Sequence, residues 1–241
     1  AFSLDYLDPD APGGISSEIK QFDLITTLIY TPGRRTIGHG VERRDINDDY
    51  STLLLVYTNG LEGFFESDFN YRKLQFSYTK PWQIGGFGRL TTSVELGKIF
   101  RPVPLALLAV VPGNQTYFTI FNAFPNLDFY EFVTDTYTSM HLEHNFNGRL
   151  LGRIPLLRDL NLREIVGIRG VWGELSEDNR LLSAPTNIPL QAPDDRIYWE
   201  YSFGIGNIFK IFRIDFNFRG NYLENPGARP FSVTGTFGIQ F

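Results

Sequence analysis

Alternation constrains this chain more than any other feature. Residues 231–241 read Phe-Ser-Val-Thr-Gly-Thr-Phe-Gly-Ile-Gln-Phe. Phe231, Val233, Gly235, Phe237, Ile239 and Phe241 fall at odd positions, and Ser232, Thr234, Thr236, Gly238 and Gln240 at even ones. Successive side chains on a strand point to opposite faces, so one face of this stretch is apolar and the other small and polar. The period recurs upstream. Leu74, Phe76 and Tyr78 oppose Lys73, Gln75, Ser77 and Thr79, and Thr136, Thr138, Met140 and Leu142 oppose Asp135, Ser139, His141 and Glu143. Trp199, Tyr201, Phe203 and Ile205 oppose Glu200, Ser202, Gly204 and Gly206, and Phe212, Ile214, Phe216 and Phe218 oppose Arg213, Asp215, Asn217 and Arg219. The pattern predicts nine strands, over residues 17–30, 52–63, 71–80, 89–99, 132–146, 162–175, 197–208, 211–219 and 231–241. The run Leu53-Leu54-Leu55-Val56 is apolar on both faces and cannot be oriented by period. Residues 1–16, with Pro9, Pro12, Gly13 and Gly14, read as a loop, and residues 17–241 as one all-β unit.

Two architectures accommodate such strands. A soluble sandwich places the aromatic face in a core and the charges in water. A transmembrane antiparallel β-barrel places the aromatics in lipid and the charges in its lumen. The chain has 241 residues, of which 15% are aromatic, with 22 Phe and 12 Tyr. Mean hydropathy is −0.15, and no apolar run reaches the roughly 18 residues of a membrane-spanning helix, whereas a barrel strand needs only about ten alternating residues. Short connections (81–87, 207–210) alternate with long ones (100–131, 176–196, 220–230). That alternation puts Trp172 and Trp199 at one membrane interface and Trp82 at the other, as an aromatic girdle. The expectation is therefore a barrel in a bacterial outer membrane. Phe237, Ile239 and Phe241 form the closing strand and, with its terminal aromatic, the assembly signal. Nine strands are too few for a closed bacterial barrel, which implies that this is the C-terminal part of a larger, about sixteen-stranded one. Outer-membrane lipid is one expected partner, with other outer-membrane or periplasmic proteins. A net charge of −5 with mixed signs argues against nucleic acid.

The inward-facing polar residues are Glu95, Ser139, His141, Glu143, Arg163, Glu200, Arg213, Asp215 and Arg219. Their plainest reading is a lumenal ladder of ion pairs and hydrogen bonds. Ser139, His141 and Glu143 have the composition of a hydrolase site. Residues two apart on a strand, however, lie about 6.6 Å apart, beyond the 2.6–3.2 Å reach of a nucleophile and its base. Such an enzyme, the alternative reading, needs a partner from a neighbouring strand. His141 with Glu143 is a weak metal pair, and Asp194 with Asp195, or Asp45, Asp48 and Asp49, lack the ligand spacing of a calcium loop. No metal or cofactor is expected. Gly204-Ile205-Gly206 precedes no helix and is no nucleotide fingerprint.

The order of strands and loops resembles the C-terminal half of the BamA/TamA-type outer-membrane assembly barrels. The carriers are Ser67-Asp68-Phe69-Asn70-Tyr71-Arg72-Lys73-Leu74, the long loop 100–131 with Val111-Pro112-Gly113-Asn114, Ser139 to Phe146, Gly170-Val171-Trp172, and Tyr201 to Phe216. More narrowly, Gly113-Asn114, Tyr130-Glu131-Phe132, Asp135 and Glu143-His144-Asn145-Phe146 resemble an uncharacterised Bacteroidetes group with a carboxypeptidase-regulatory-like domain ahead of the barrel. The resemblance implies a long loop folded into the lumen and a non-enzymatic role in inserting, translocating or scaffolding outer-membrane proteins. Those barrels carry Val-Arg-Gly-Phe/Tyr in this loop, its Arg paired with an acid on a strand. Here the loop reads Asn126-Leu127-Asp128-Phe129-Tyr130-Glu131-Phe132 and the strand Gly167-Ile168-Arg169-Gly170. The charges are reversed, which suggests a substitute lock of Glu131 or Asp135 with Arg169.

Overall fold

A computed structural model describes residues 3–238. Its centre is a nine-stranded antiparallel sheet in which every strand lies beside its sequence neighbours. The strands are β1 (Asp23–Tyr30), β2 (Thr52–Gly60), β3 (Arg72–Gln83), β4 (Arg89–Phe100), β5 (Thr136–Asn145), β6 (Arg163–Glu174), β7 (Tyr198–Ile208), β8 (Phe212–Arg219) and β9 (Phe231–Phe237). Two short helices, α1 (Pro155–Arg158) and α2 (Glu177–Leu182), lie in connections. No helix among the described residues is long and apolar enough to cross a membrane.

The predicted strands are all present, with local corrections. Residues 17–22 are not strand, because side-chain oxygens take their backbone donors: Asp68 accepts from Lys20 N at 2.7 Å and Ser67 from Phe22 N at 3.1 Å. Pro81 and Trp82, expected in a turn, continue β3. The ladder with β2 stops at Thr52↔Thr79, so proline beyond it leaves no bond to β2 unmade. The turn itself is 84–88, closed by Ile84 N donating to Gly88 O at 2.8 Å. Gly88 has φ 92°, and a Cβ there would collide with the Asn145 carbonyl, so glycine is required twice over. Val133–Thr134, expected within the fifth strand, instead pairs with Ala109–Val110. The chain breaks at Asp135, whose carboxylate accepts from Ser176 N and Asn179 Nδ2, both at 2.7 Å, at the start of α2. Ile239 and Phe241, expected in the closing strand, lie outside the described residues.

The sheet has two unlike faces and two unlike ends. One face is bare and carries Trp199, Phe203, Ile205, Phe212, Ile214, Phe216, Phe231 and Phe237, all more than a third exposed. The other is covered by the segment 101–132 and buries Ser93, Glu200, Ser202, Asp215, Asn217 and Thr234. Charges inside and aromatics outside invert the arrangement of a water-soluble sheet. Turns 84–88 and 209–211, with connections 31–51 and 146–162, lie at what we term the turn end. Residues 3–22, 61–71, 101–135, 175–197 and 220–230 lie at the loop end. Connections 31–51 and 146–162 depart from the expected short-long alternation. Trp82 stands at the turn end of β3, and Trp172 and Trp199 near the loop end of β6 and β7.

Candidate functional site

The covering segment leaves β4 at the loop end and descends over the polar face. At the mouth, Val103, Leu105 and Leu108 pack with Tyr71, Ile99, Val133, Leu175, Ile188 and Ala192. Deeper, Val111, Phe124, Leu127 and Phe132 pack with Val171, Tyr198 and Tyr222. The Tyr198 ring lies 5.5 Å from Phe124 and 5.4 Å from Phe132, both edge-on. These apolar anchors fix the segment; polar contacts fix its register against the sheet.

Register explains which polar residues meet. Cross-strand pairing places Ser93, His141, Arg169, Glu200 and Arg219 in one row across β4 to β8. Glu200, with 0% of its surface exposed, accepts from Asn126 N at 3.0 Å and from the Tyr198 hydroxyl at 2.7 Å through Oε1. Arg219 donates to both Glu131 oxygens, at 2.5 and 3.1 Å. It also donates to the carbonyls of Tyr222 at 2.7 Å, Asn221 at 3.0 Å and Asn126 at 3.3 Å, and its guanidinium lies 4.9 Å from the Tyr198 ring centre. A planar guanidinium with five donors suits this mixture of bidentate carboxylate and carbonyls. Burial alone would raise the pKa of Glu131. Arg219, the Asp128 N–H and Asn225 outweigh it and hold that carboxyl below the usual range.

The expected lock does not form: among the described residues Arg169 pairs with neither Glu131 nor Asp135. Glu131, which stands on the covering segment, pairs with Arg219 of β8 rather than Arg169, and Asp135 holds the start of α2. Arg169 grips the segment differently, donating to the Ala123 carbonyl at 3.1 Å and to Ser202 Oγ at 3.1 Å. Arg213 joins distant strands, with a bidentate pair to Glu143 at 3.0 and 2.6 Å and Nε on Asp215 at 2.9 and 2.8 Å. Gly204 leaves room for it, since a Cβ there would run into the Asp215 carboxylate. Asp215 in turn accepts from Thr119 Oγ1 of the covering segment at 3.3 Å. Arg163 lines an open cavity of about 510 Å³ at the turn end with Arg89, Glu143 and Arg213.

Ser139 and His141 are not brought together. Ser139 lines a cavity of about 250 Å³ with Glu95 and Tyr137, whereas His141 lines one of about 230 Å³ with Arg169 and Glu143. No hydrogen bond among the described residues joins them. The His141 ring lies 5.0 Å from the Phe124 ring, tilted by 54°, and its Nε2 has no hydrogen-bond partner among the described residues. Among the described residues no group of three or more acids or histidines is arranged to hold a metal ion. Sequence reasoning missed Tyr137, whose hydroxyl donates to Glu95 at 2.5 Å and accepts from Gln75 at 2.9 Å. Its parity with Ser139 was the available signal. It also missed Tyr198, whose parity with Glu200 was the same signal, and Asn126, which lies in a connection where no period applies.

A family model described as the C-terminal domain of a family of unknown function, DUF5686, matches residues 10–177. No curated protein matches the chain. The match runs from the N-terminal segment through β6 to the start of α2. It takes in the whole covering segment with Glu131 and the Arg169 that grips it, while Glu200, Arg213 and Arg219 lie beyond it. The chain belongs to the DUF5686 C-terminal domain family.

Proposed function

We propose that the sheet is the C-terminal part of a transmembrane β-barrel of the bacterial outer membrane, with a non-enzymatic role in inserting, translocating or scaffolding other envelope proteins. The observation that carries the membrane reading is the inverted sheet. Phe203 is 52% exposed on the bare face while Glu200, three residues away on the same strand, is wholly buried on the other. Lipid is the solvent in which that arrangement is favourable. The segment 101–132 then plugs the lumen, and the Glu131–Arg219 pair serves, with the charges reversed, as the counterpart of the loop-arginine lock of the assembly barrels that the sequence resembles. The separation of Ser139 from His141 favours the non-enzymatic role over a lumenal hydrolase. Outer-membrane lipid and other outer-membrane or periplasmic proteins are the partners of this reading.

Depth-dependent quenching of tryptophan by brominated lipids tests it. After refolding into phosphatidylcholine vesicles, Phe203→Trp is quenched most by bromines deep in the acyl chains, and Trp82, Trp172 and Trp199 by shallow ones. Emission insensitive to bromine at every depth sinks the membrane reading. A separate measurement bears on the role: recovery of a substrate-sized ester or peptide hydrolysis that Ser139→Ala abolishes would replace the assembly role with an enzyme.

A further inference from the structure

At the turn end, a groove of about 1000 Å³ runs between connection 146–162 and the β7–β8 turn. Arg158, Arg163 and Lys210 line it, with Asp159 as its one carboxylate. No ion pair among the described residues engages Arg163 or Lys210, and Arg158 reaches Asp159 only at 4.0 Å, with both side chains exposed. The remaining wall mixes Asn147, Asn161 and Asn207 with apolar side chains. Leu160 and Phe209 are 58% and 85% exposed, and Ile205 belongs to the bare face of the sheet, so the groove opens onto that face. The turn is built to display its residues. Phe209 and Lys210 hold φ of 50° and 69°, a left-handed conformation unfavourable for bulky side chains. Asn207 Nδ2 donates to the Asn161 carbonyl at 2.7 Å, tying the turn to the far wall.

Charge across the whole molecule points the same way. The turn-end connections (31–51, 84–88, 146–162, 209–211) hold eight Lys and Arg against five Asp and Glu. The loop-end connections hold five against fifteen. The connections are thus net +3 at the turn end and −10 at the loop end, and the cationic end also carries exposed apolar side chains, the combination that binds an anionic lipid surface.

We propose that this groove is a binding site for an anionic glycerophospholipid. Arg158, Arg163 and Lys210 take the phosphate-bearing headgroup. Leu160 and Phe209 lie at the glycerol level, and an acyl chain runs past Ile205 onto the bare face. This inference rests on the membrane reading above.

The test titrates detergent-solubilised protein with short-chain phosphatidylglycerol, short-chain phosphatidylcholine and inorganic phosphate, reading the thermal unfolding midpoint. Phosphatidylglycerol raises the midpoint saturably, and phosphatidylcholine and phosphate do not. The R158E/K210E variant, altered only at exposed side chains, keeps the lipid-free midpoint and needs about tenfold more phosphatidylglycerol for the same rise. Equal responses to the two lipids, an unchanged titration in the variant, or a rise with phosphate alone each overturn the site. The bromine-quenching experiment separates the two claims. Insertion without a preference for phosphatidylglycerol ends this inference alone, whereas failure to insert ends both.

Discussion

Arg219 and Glu131 show what one pair does for the molecule. Their side chains are 0% and 7% exposed, so removing either partner strands a buried charge. Arg219→Met is expected to destabilise the fold by about 3–5 kcal/mol, and Arg219→Met with Glu131→Leu by distinctly less, since the double variant leaves no unpaired ion. Denaturant unfolding in detergent reads both, and equal losses in the two would show that packing rather than charge carries the cost. The pair also sets a pH dependence. The folded pKa of Glu131 lies below its unfolded value. Its stabilisation is therefore complete above the ordinary glutamate range of about 4.3 and is lost as pH falls through the folded value. Protease cleavage within 101–132 should rise over that acid range in the wild type, and pH should not modulate it in the Glu131→Gln protein. This pair was not legible in the sequence. Glu131 and Arg219 are 88 residues apart, and only the register of five successive strands decides that Arg219, not Arg169, stands beneath Glu131.

Among the elements, the strands were legible because lipid-type inversion and a half-buried soluble sheet leave the same period-two trace, and seven of the eight connections interrupt it with Gly, Pro, Asn or Asp. What the period could not give was the path of 101–132, whose contacts are with residues distant in sequence. One such contact falls on the edge of the sheet. Thr119 N donates to the Gly235 carbonyl at 2.9 Å, and Gly235 N donates to the Tyr117 carbonyl at 2.8 Å. The covering segment thereby caps part of β9, whose outer groups have no other strand beside them among the described residues. Asn114, 2% exposed, shapes this cap. Its Nδ2 donates to Phe118 O at 2.6 Å, and its Oδ1 accepts from Thr116 N at 2.8 Å. Asn114→Ala should cost about 1–3 kcal/mol through the groups it leaves unpaired. Amide exchange should then quicken at Thr119 and Gly235 while β5 and β6 keep their protection. Uniform acceleration across the sheet would mean that Asn114 supports the core rather than the edge.

At the scale of the whole molecule the two edges differ. β9 is partly capped, whereas β1 presents Leu24, Ile25, Leu28, Ile29 and Tyr30, all more than half exposed, on both of its faces. This also explains why Leu53 to Val56 on the neighbouring β2 resisted orientation. The covering segment's polar contacts reach β4 to β9, whereas on the inner face of β1 only the first residue, Asp23, is held by polar contacts, accepting from the Tyr71 hydroxyl at 2.7 Å and Gln21 Nε2 at 3.0 Å, and Ile25 and Ile29 follow. Little blunts the β1 edge: it has no proline, no lysine and no bulge, and its one charged side chain is Asp23 at its first position. An apolar strand edge with unpaired backbone groups is strongly unfavourable in lipid and sticky in water. In detergent this chain should therefore self-associate through β1, and light scattering after size exclusion should report species larger than 27.6 kDa. Thr27→Pro, which deletes one edge donor, and Ile25→Lys, which charges the inner face, should each shift the population toward monomer without changing exchange in β5 to β8. The opposite result is equally informative. A monomeric wild type with slowly exchanging amides in both β1 and β9 would mean that the edges pair with each other, making the sheet a closed nine-stranded barrel rather than part of a larger one.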